Sequence, residues 1–225
     1  ALVSLGVLHA ARSALDRSFA GIEHETARQS IERVRGALEA DFRQLALATT
    51  DYGNWDDTWL YATGENQSYV ESELNEDVLS GLHVDLAWVD GTGARDTVSL
   101  GATEAARRVA HGSASDALAE LRHHAAPLVK SLASAPNAPD TASVKVIRTA
   151  AGILAVGLVP IRHTDRSGPV VGTFSFARHV GPEVIERLEQ TSQQPASIIP
   201  LEERGRATRA LPPEVARWLA AGATA

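Results

Sequence analysis

A long stretch without proline constrains the fold of this chain more than any other feature. Between Leu5 and about Thr50 no proline interrupts the sequence, and apolar residues recur at three- and four-residue spacing. The apolar positions form two successive stripes: Leu5, Leu8, Leu15, Phe19 and Ile22, then Ile31, Val34, Leu38, Phe42 and Leu45. This spacing predicts one helix of roughly 68 Å at a rise of about 1.5 Å per residue.

A helix of that length is much longer than a typical helix of a globular domain, so we expect part of it to find a partner outside the domain. The stripes are close to heptad order, with a phase change around Thr26 to Ser30, which favours the stalk of a parallel homodimer. Gly21 and Gly36 each weaken the helix by about 1 kcal/mol relative to alanine. The alternative is two helices that are broken near Gly21.

Residues 1–11 are almost entirely apolar, with only Ser4 and His9 interrupting them. A membrane-spanning helix needs about 20 such residues, so this segment is too short to cross a bilayer alone. It is either the outer end of a transmembrane helix or the first part of a packed soluble helix. The basic leading region and the cleavage site of a signal peptide are missing. No methionine occurs, and we expect the chain to be a piece of a longer protein.

Composition excludes several function classes. The 225 residues are 44% hydrophobic, enough for one substantial core. A net charge of -7 without a basic cluster argues against nucleic-acid binding. The absence of cysteine excludes disulfides, thiol catalysis and thiolate metal sites. Nucleophile elbows, phosphate loops and dinucleotide fingerprints are also missing, so we predict neither an enzyme nor a cofactor.

Histidines raise the question of a metal site. His111, Asp116, His123 and His124 lie on or beside one predicted helix. However, His123 and His124 are adjacent and therefore point about 100° apart, and no pair of histidines has the four-residue helical spacing. The sequence predicts no metal site.

Five predicted strands follow the helical region. A short helical patch at 68–82 leads to a strand at 85–89, a turn at Asp90-Gly-Thr-Gly93 and a returning strand at 94–100. A helix is predicted at 113–126. Strands at 143–148, 153–159 and 169–178 come next, and Pro182 opens a helix that continues to Gln190. A short strand at 197–201 and a helix from Pro212 end the chain. This order predicts an α+β domain with one central antiparallel sheet.

Aromatic residues and carboxylates concentrate in Asp51-Tyr-Gly-Asn-Trp-Asp-Asp-Thr-Trp-Leu-Tyr61. If the helix continues through this segment, Trp55 and Trp59 share one face. Aromatic rings beside carboxylates suit cationic or hydrogen-bonding ligands. In the structural alternative, the tryptophans fill the junction between helix and sheet, and Asp56 or Asp57 caps a helix or binds backbone amides.

A second block is Val156-Gly-Leu-Val-Pro-Ile-Arg162, followed by Gly168-Pro-Val-Val-Gly172 and Phe176-Ala-Arg178. Pro160 must end its strand or lie at an edge because it lacks an amide donor, and Gly172 permits close backbone approach. Arg162 and Arg178 are candidates to grip a ligand carboxylate. The alternative, favoured for Arg178, is that they pair with Asp or Glu on the surface.

Together the two blocks closely resemble the fourth type of CHASE domain over roughly Phe42 to Leu188, with Trp59 where that family usually has tyrosine. The resemblance implies a PAS-like single antiparallel sheet of about five strands with a long N-terminal helix and flanking helices. We divide the chain into a stalk helix at 1–50, with the outer end of a transmembrane helix at 1–11, and a PAS-like sensor domain at 51–225.

The resemblance also implies function. It predicts an extracytoplasmic ligand-sensing domain of a bacterial inner-membrane receptor, tethered to the membrane and coupled to a cytoplasmic histidine kinase or to a cyclic-di-GMP cyclase or phosphodiesterase. Ligand binding would be relayed through the long helix. We assign the pocket for an unidentified small molecule to six residues: Trp55, Asp56, Trp59, Tyr69, Trp88 and Arg162. Two alternatives stay open: a ligand-free dimerisation or protein-interaction module, and a soluble binding protein or enzyme without a membrane tether.

Overall fold

A computed structural model describes residues 2–93, 97–100, 123, 141–149 and 152–197. The first element, α1, runs from Leu2 to Gly53 as one helix of 52 residues, about 78 Å long. The predicted long helix is therefore confirmed, and the alternative of a break near Gly21 is not seen. None of the described helices is long and apolar enough to cross a bilayer.

The described strands form one antiparallel sheet in the spatial order β2-β1-β5-β4-β3. Their bounds are β1 Leu86–Gly91, β2 Thr97–Leu100, β3 Ser143–Thr149, β4 Gly152–Pro160 and β5 Gly172–His179. The first and last strands in sequence pair at the centre, because β1 lies against β5. The expected PAS-like sheet of five strands is thus confirmed.

The last strand begins later than the sequence predicted, at Gly172 instead of Pro169. Pro169 has no amide to donate to a strand ladder. Gly172 lies so close to β1 that a Cβ there would collide with the backbone of Asp90 and would lie 2.8 Å from the Cα of Gly91. The predicted close backbone approach at Gly172 is confirmed, and Pro160 ends β4 as expected.

Short helices surround the sheet. They are α2 Asp56–Thr63, α3 Tyr69–Glu73, α4 Glu76–Gly81 and α5 Pro182–Ser192. The helical patch predicted at 68–82 is two helices, because the side chain of Asn75 accepts the amide of Val78 at 3.0 Å and starts α4 there. The helix predicted at 113–126, apart from His123, and the segments predicted after Ser197 lie outside the described residues.

Helix α1 packs on one face of the sheet. Leu45 of α1 belongs to the same buried cluster as Ala87 and Val89 of β1 and Phe174 and Phe176 of β5. The contact is close because β4 has a glycine where α1 crosses it. A Cβ at Gly157 would collide with the side-chain oxygen of Thr49. Neighbouring side chains alternate between faces along a strand, so Trp88 lies on the opposite face from Ala87 and Val89.

A buried ion cluster joins α1 to β5 and α5. Asp41 of α1 accepts hydrogen bonds from Arg178 at 2.8 Å and from Arg187 at 3.2 Å. Arg178 also donates to the carbonyl oxygens of His83 and Leu82, and its side chain is only 4% exposed. Burial lowers the pKa of this guanidinium, and Asp41 opposes the shift. Arg178 therefore pairs with a carboxylate, as the alternative expected, but the expected surface location is wrong because the pair is buried.

Candidate functional site

The aromatic segment is divided between two helices. Helix α1 ends at Gly53, and Trp55 adopts an extended conformation, with φ -109° and ψ 137°, before α2 begins at Asp56. A Cβ at Gly53 would collide with Val159, and the carbonyl oxygen of Gly53 accepts the amide of Arg162 at 3.1 Å. The amide of Asn54 still donates to the carbonyl oxygen of Thr50 at 3.0 Å, so the last turn of α1 is helical up to Gly53, whose own carbonyl oxygen is taken by Arg162. The helix thus does not continue through the aromatic segment, and the condition under which Trp55 and Trp59 would share one helical face is not met.

A cleft of about 440 Å³ opens where α1 ends. We call it the junction cleft. Residues 50–52, 54 and 55 form one wall, and Thr164 and Arg166 form the other. The second wall belongs to the β4–β5 loop, residues 161–171. The rings of Tyr52 and Trp55 meet edge to face at 5.6 Å, so the first wall contains two aromatic rings as well as Asp51.

Asp56 holds the β4–β5 loop against α2. Its Oδ1 accepts the backbone amide of Thr164 at 3.0 Å and the Nδ1–H of His163 at 2.8 Å. These hydrogen bonds, that of the amide first, lower the pKa of Asp56. Trp59 stacks on the His163 ring with centroids 4.1 Å apart. A second cavity of about 470 Å³ lies next to this contact and is lined by Asp56 and loop residues. Asp56 thus binds a backbone amide, as the structural alternative expected.

Tyr69 lies in the core. Its side chain is fully buried, its ring stacks on Tyr61 at 5.3 Å, and its hydroxyl shares a hydrogen bond of 2.6 Å with Thr58. Burial raises the pKa of Tyr69 well above its usual range. A fully buried tyrosine with its hydroxyl bonded to a neighbouring helix positions α2 against α3.

Trp88 and Arg162 differ from the other predicted residues in their surroundings. Trp88 is 6% exposed and lies on the sheet face opposite α1. Arg162 lies two residues beyond the end of β4 and is half-buried. Its Nε and the indole nitrogen of Trp59 are buried without a hydrogen-bond partner in the part of the chain that the structure describes.

The structure does not bring the six predicted residues into one cavity. Trp55 lines the junction cleft, Asp56 lines the neighbouring cavity, and Trp59 stacks beside both on His163. Sequence reasoning missed Asp51 and Tyr52 as cleft residues, although both belong to the aromatic segment it singled out. Nothing in the sequence indicated Thr164 or Arg166, which reach the cleft from a distant loop.

Among the described residues no group of three or more His, Asp or Glu side chains is arranged to hold a metal ion. The walls of the junction cleft combine aromatic rings with side chains of both signs of charge.

These features define a PAS-like α+β domain: a long helix packs on an antiparallel sheet and ends at a cleft. The CHASE4 domain family model matches residues 37–199, which is well over half of the chain. The chain therefore belongs to the CHASE4 family and is an extracytoplasmic sensor domain, not a catalytic one.

The chain is similar to the methanogenesis regulatory histidine kinase FilI of Methanothrix harundinacea (strain 6Ac). The two are 28% identical over 188 residues, which cover 81% of this chain and 20% of the kinase. The chain thus spans about a fifth of the length of that relative.

Two crystal structures of the periplasmic domain of Vibrio cholerae LuxQ also resemble the chain. They have TM-scores of 0.46 and 0.43 and sequence identities of 11% and 9%. The alignments cover 73% and 74% of this chain and 69% and 70% of theirs.

Proposed function

We propose that this chain is the ligand-sensing part of a membrane-bound signalling receptor and relays the binding of a small molecule through α1 to a cytoplasmic output module. The observation that carries this proposal is the position of the junction cleft. One of its walls is the last turn of the 52-residue helix α1, so a ligand in the cleft contacts the element that leads away from the domain. The similarity to a histidine kinase supports a kinase output, and a cyclic-di-GMP cyclase or phosphodiesterase is the other output that we propose.

The relay depends on how α1 is held. Gly53 and Gly157 let the helix lie directly on β4 and β5, and Asp41 fixes it to Arg178. A ligand shifts the receptor between two arrangements of α1 only if it binds one of them more tightly than the other. The β4–β5 loop is the wall that faces α1, and its position relative to α1 is what ligand binding would change.

A second copy of the chain is the partner that we propose for α1. Ile31 is 45% exposed, although it lies seven residues before Leu38 and fourteen before the fully buried Leu45. Heptad spacing places these three residues on one stripe, and the stripe continues beyond the sheet. A parallel homodimer would cover its exposed part and bring two α1 helices side by side toward the membrane.

One observation favours a second candidate function, a ligand-free dimerisation or protein-interaction module. The space between α1 and the sheet is filled by the protein's own side chains. Tyr52 stacks on Phe174 at 5.9 Å and meets Phe176 at 5.0 Å. A ligand therefore has no room beneath α1, as expected of a ligand-free module.

A thermal-shift screen of the 225-residue chain against metabolites, amino acids, organic acids and ions separates the two functions. A ligand at 100 times its dissociation constant stabilises the folded state by about 2.7 kcal/mol, which gives a readable shift. With a hit in hand, alanine variants of Trp55, Trp88 and Arg162 test the predicted pocket. A residue whose loss leaves affinity unchanged does not belong to it. If no compound in the library shifts the unfolding temperature, the interaction module is favoured.

A further inference from the structure

The two walls of the junction cleft carry opposite charges. Asp51 lies in the last turn of α1, and Arg166 lies across the cleft in the β4–β5 loop. A ligand that fills the 440 Å³ between them meets an anion on one side and a cation on the other. The volume falls within the range of about 300–1,000 Å³ that is usual for small-molecule sites.

The carboxylate of Asp51 is suited to an ammonium group. Its side chain is exposed, and it forms no hydrogen bond or ion pair within the described ranges. Tyr52 and Trp55 line the same cleft, with their rings at 77° to each other. Aromatic faces attract cations through the ring quadrupole, so the two rings and the carboxylate all favour a cationic group.

Arg166 makes a simple cation a poor ligand, because its guanidinium repels a second positive charge. The loop fixes this residue: its amide donates to the carbonyl oxygen of His163 at 2.8 Å, and its φ is 62°. Asp56 in turn holds His163 and Thr164. A guanidinium has five donors, so a contact inside the protein leaves others for a ligand carboxylate.

We propose that the junction cleft binds a small zwitterion whose ammonium group lies against Asp51, Tyr52 and Trp55 and whose carboxylate faces Arg166. Amino acids and betaines are the chemical class. This inference rests on the proposed sensor function and specifies its ligand.

Isothermal titration calorimetry of the 225-residue chain tests the proposal with probes matched in shape. Glycine betaine carries both charges, 3,3-dimethylbutanoate replaces its nitrogen by carbon and keeps only the carboxylate, and choline keeps only the cation. The common L-amino acids complete the series. We expect at least one zwitterion to bind and probes with a single charge to bind roughly tenfold or more weakly.

Two variants test which residue binds each charged group of the ligand. Asp51→Asn should remove most of the preference for glycine betaine over 3,3-dimethylbutanoate if betaine is the hit, and Arg166→Gln should remove the preference over choline. For an amino-acid hit, the corresponding amine and acid serve as the comparison. Glu71→Gln is the matched control, since it neutralises an exposed carboxylate on α3 outside the cleft, and it should change nothing.

Three results would overturn the proposal: no zwitterion binds, probes with a single charge bind equally well, or both cleft variants leave zwitterion binding unchanged. A hit from another chemical class in the thermal-shift screen would overturn it while the sensor function stands. Silence of the entire library would count against the sensor function as well.

Discussion

The hydroxyl groups of Tyr69 and Thr58 satisfy each other inside the core at 2.6 Å. Tyr69→Phe removes one partner and leaves the buried Thr58 hydroxyl without it. We expect the variant to lose about 1–3 kcal/mol of unfolding free energy, measured by urea denaturation. The double variant Thr58→Val/Tyr69→Phe removes both polar groups and should lose less than the sum of the two single changes. Simple additivity would show that the two hydroxyls are not coupled.

Asp56 makes the stability of the domain dependent on acid pH. Its pKa lies below the ordinary value of 3.8 in the folded protein because Thr164 and His163 donate to its carboxylate. A depressed carboxylate pKa stabilises the folded state above the unfolded pKa, and this stabilisation is lost as pH falls through the folded pKa. Asp56→Asn should therefore be less stable than the wild type at pH 6, and the difference should shrink below about pH 4.

The measurement is the thermal midpoint from pH 2.5 to pH 7, with Glu71→Gln as the control. Its exposed carboxylate forms no hydrogen bond in the described part of the chain, so its curve should follow the wild type. A constant difference between Asp56→Asn and the wild type at all pH values would refute the role of the Asp56 charge in holding the loop.

At the level of the elements, alanine substitutions at two glycines distinguish two contributions to stability: the packing of α1 on the sheet and the intrinsic helix propensity of α1. Gly157→Ala places a methyl group 3.1 Å from the Cβ of Thr49 and should cost about 1–3 kcal/mol by forcing α1 away from β4. Gly36→Ala meets nothing within 4 Å on the exposed side of α1 and should stabilise the helix by roughly 0.5–1 kcal/mol. Urea denaturation of both variants measures the two effects, and equal signs would contradict this account of the interface.

The ion cluster connects three elements, and we expect its members to contribute unequally to the free energy of unfolding. Asp41→Leu leaves the buried Arg178 without its carboxylate and should cost about 3–5 kcal/mol. Arg187→Met removes the more exposed cation, 29% exposed, while Asp41 keeps Arg178, so a loss of no more than about 1 kcal/mol is expected. Chemical denaturation gives both values. A larger loss for Arg187→Met would mean that Arg187, not Arg178, is the main partner of Asp41.

Local periodicity explains why the elements were predictable from the sequence. The proline-free stripes gave α1, and alternation with turn residues gave the strands to within a few residues. The end of α1 at Gly53 lies within a few residues of the predicted end near Thr50, but the contact of Gly53 with Val159 at this point was not predictable, because Val159 is far along the chain. No local pattern records such a contact.

The candidate site was less predictable than the elements for the same reason. The contact between Asp56 and His163 joins residues 107 positions apart, and it determines where the wall with Arg166 stands. Alternation along β1 put Trp88 on the face opposite Val89, but the sequence did not indicate which of the two faces α1 covers. Trp55 and Asp56, which line the two cavities, were predicted because the aromatic segment concentrates aromatic rings and carboxylates.

At the scale of the whole molecule, the proposed homodimer predicts which exposed apolar residue matters. Ile31→Lys places a charge on the stripe and should raise the dimer dissociation constant at least about tenfold. Leu47→Lys is the control, because Leu47 is 59% exposed but lies about 160° around the helix from Ile31. Sedimentation equilibrium measures both variants. A monomeric wild type, or equal weakening by both changes, would contradict a dimer through this stripe.

The length of α1 also has a mechanical consequence. Ala37 is the first residue of α1 with a buried side chain among those described, so the helix is held from there to Gly53, about 24 Å, and extends about 52 Å the other way to Leu2. If α1 tilts as a rigid rod about Ala37, the part that extends away from the sheet is about twice as long as the packed part. A displacement of about 1 Å at the cleft would therefore arrive as about 2 Å at the opposite end.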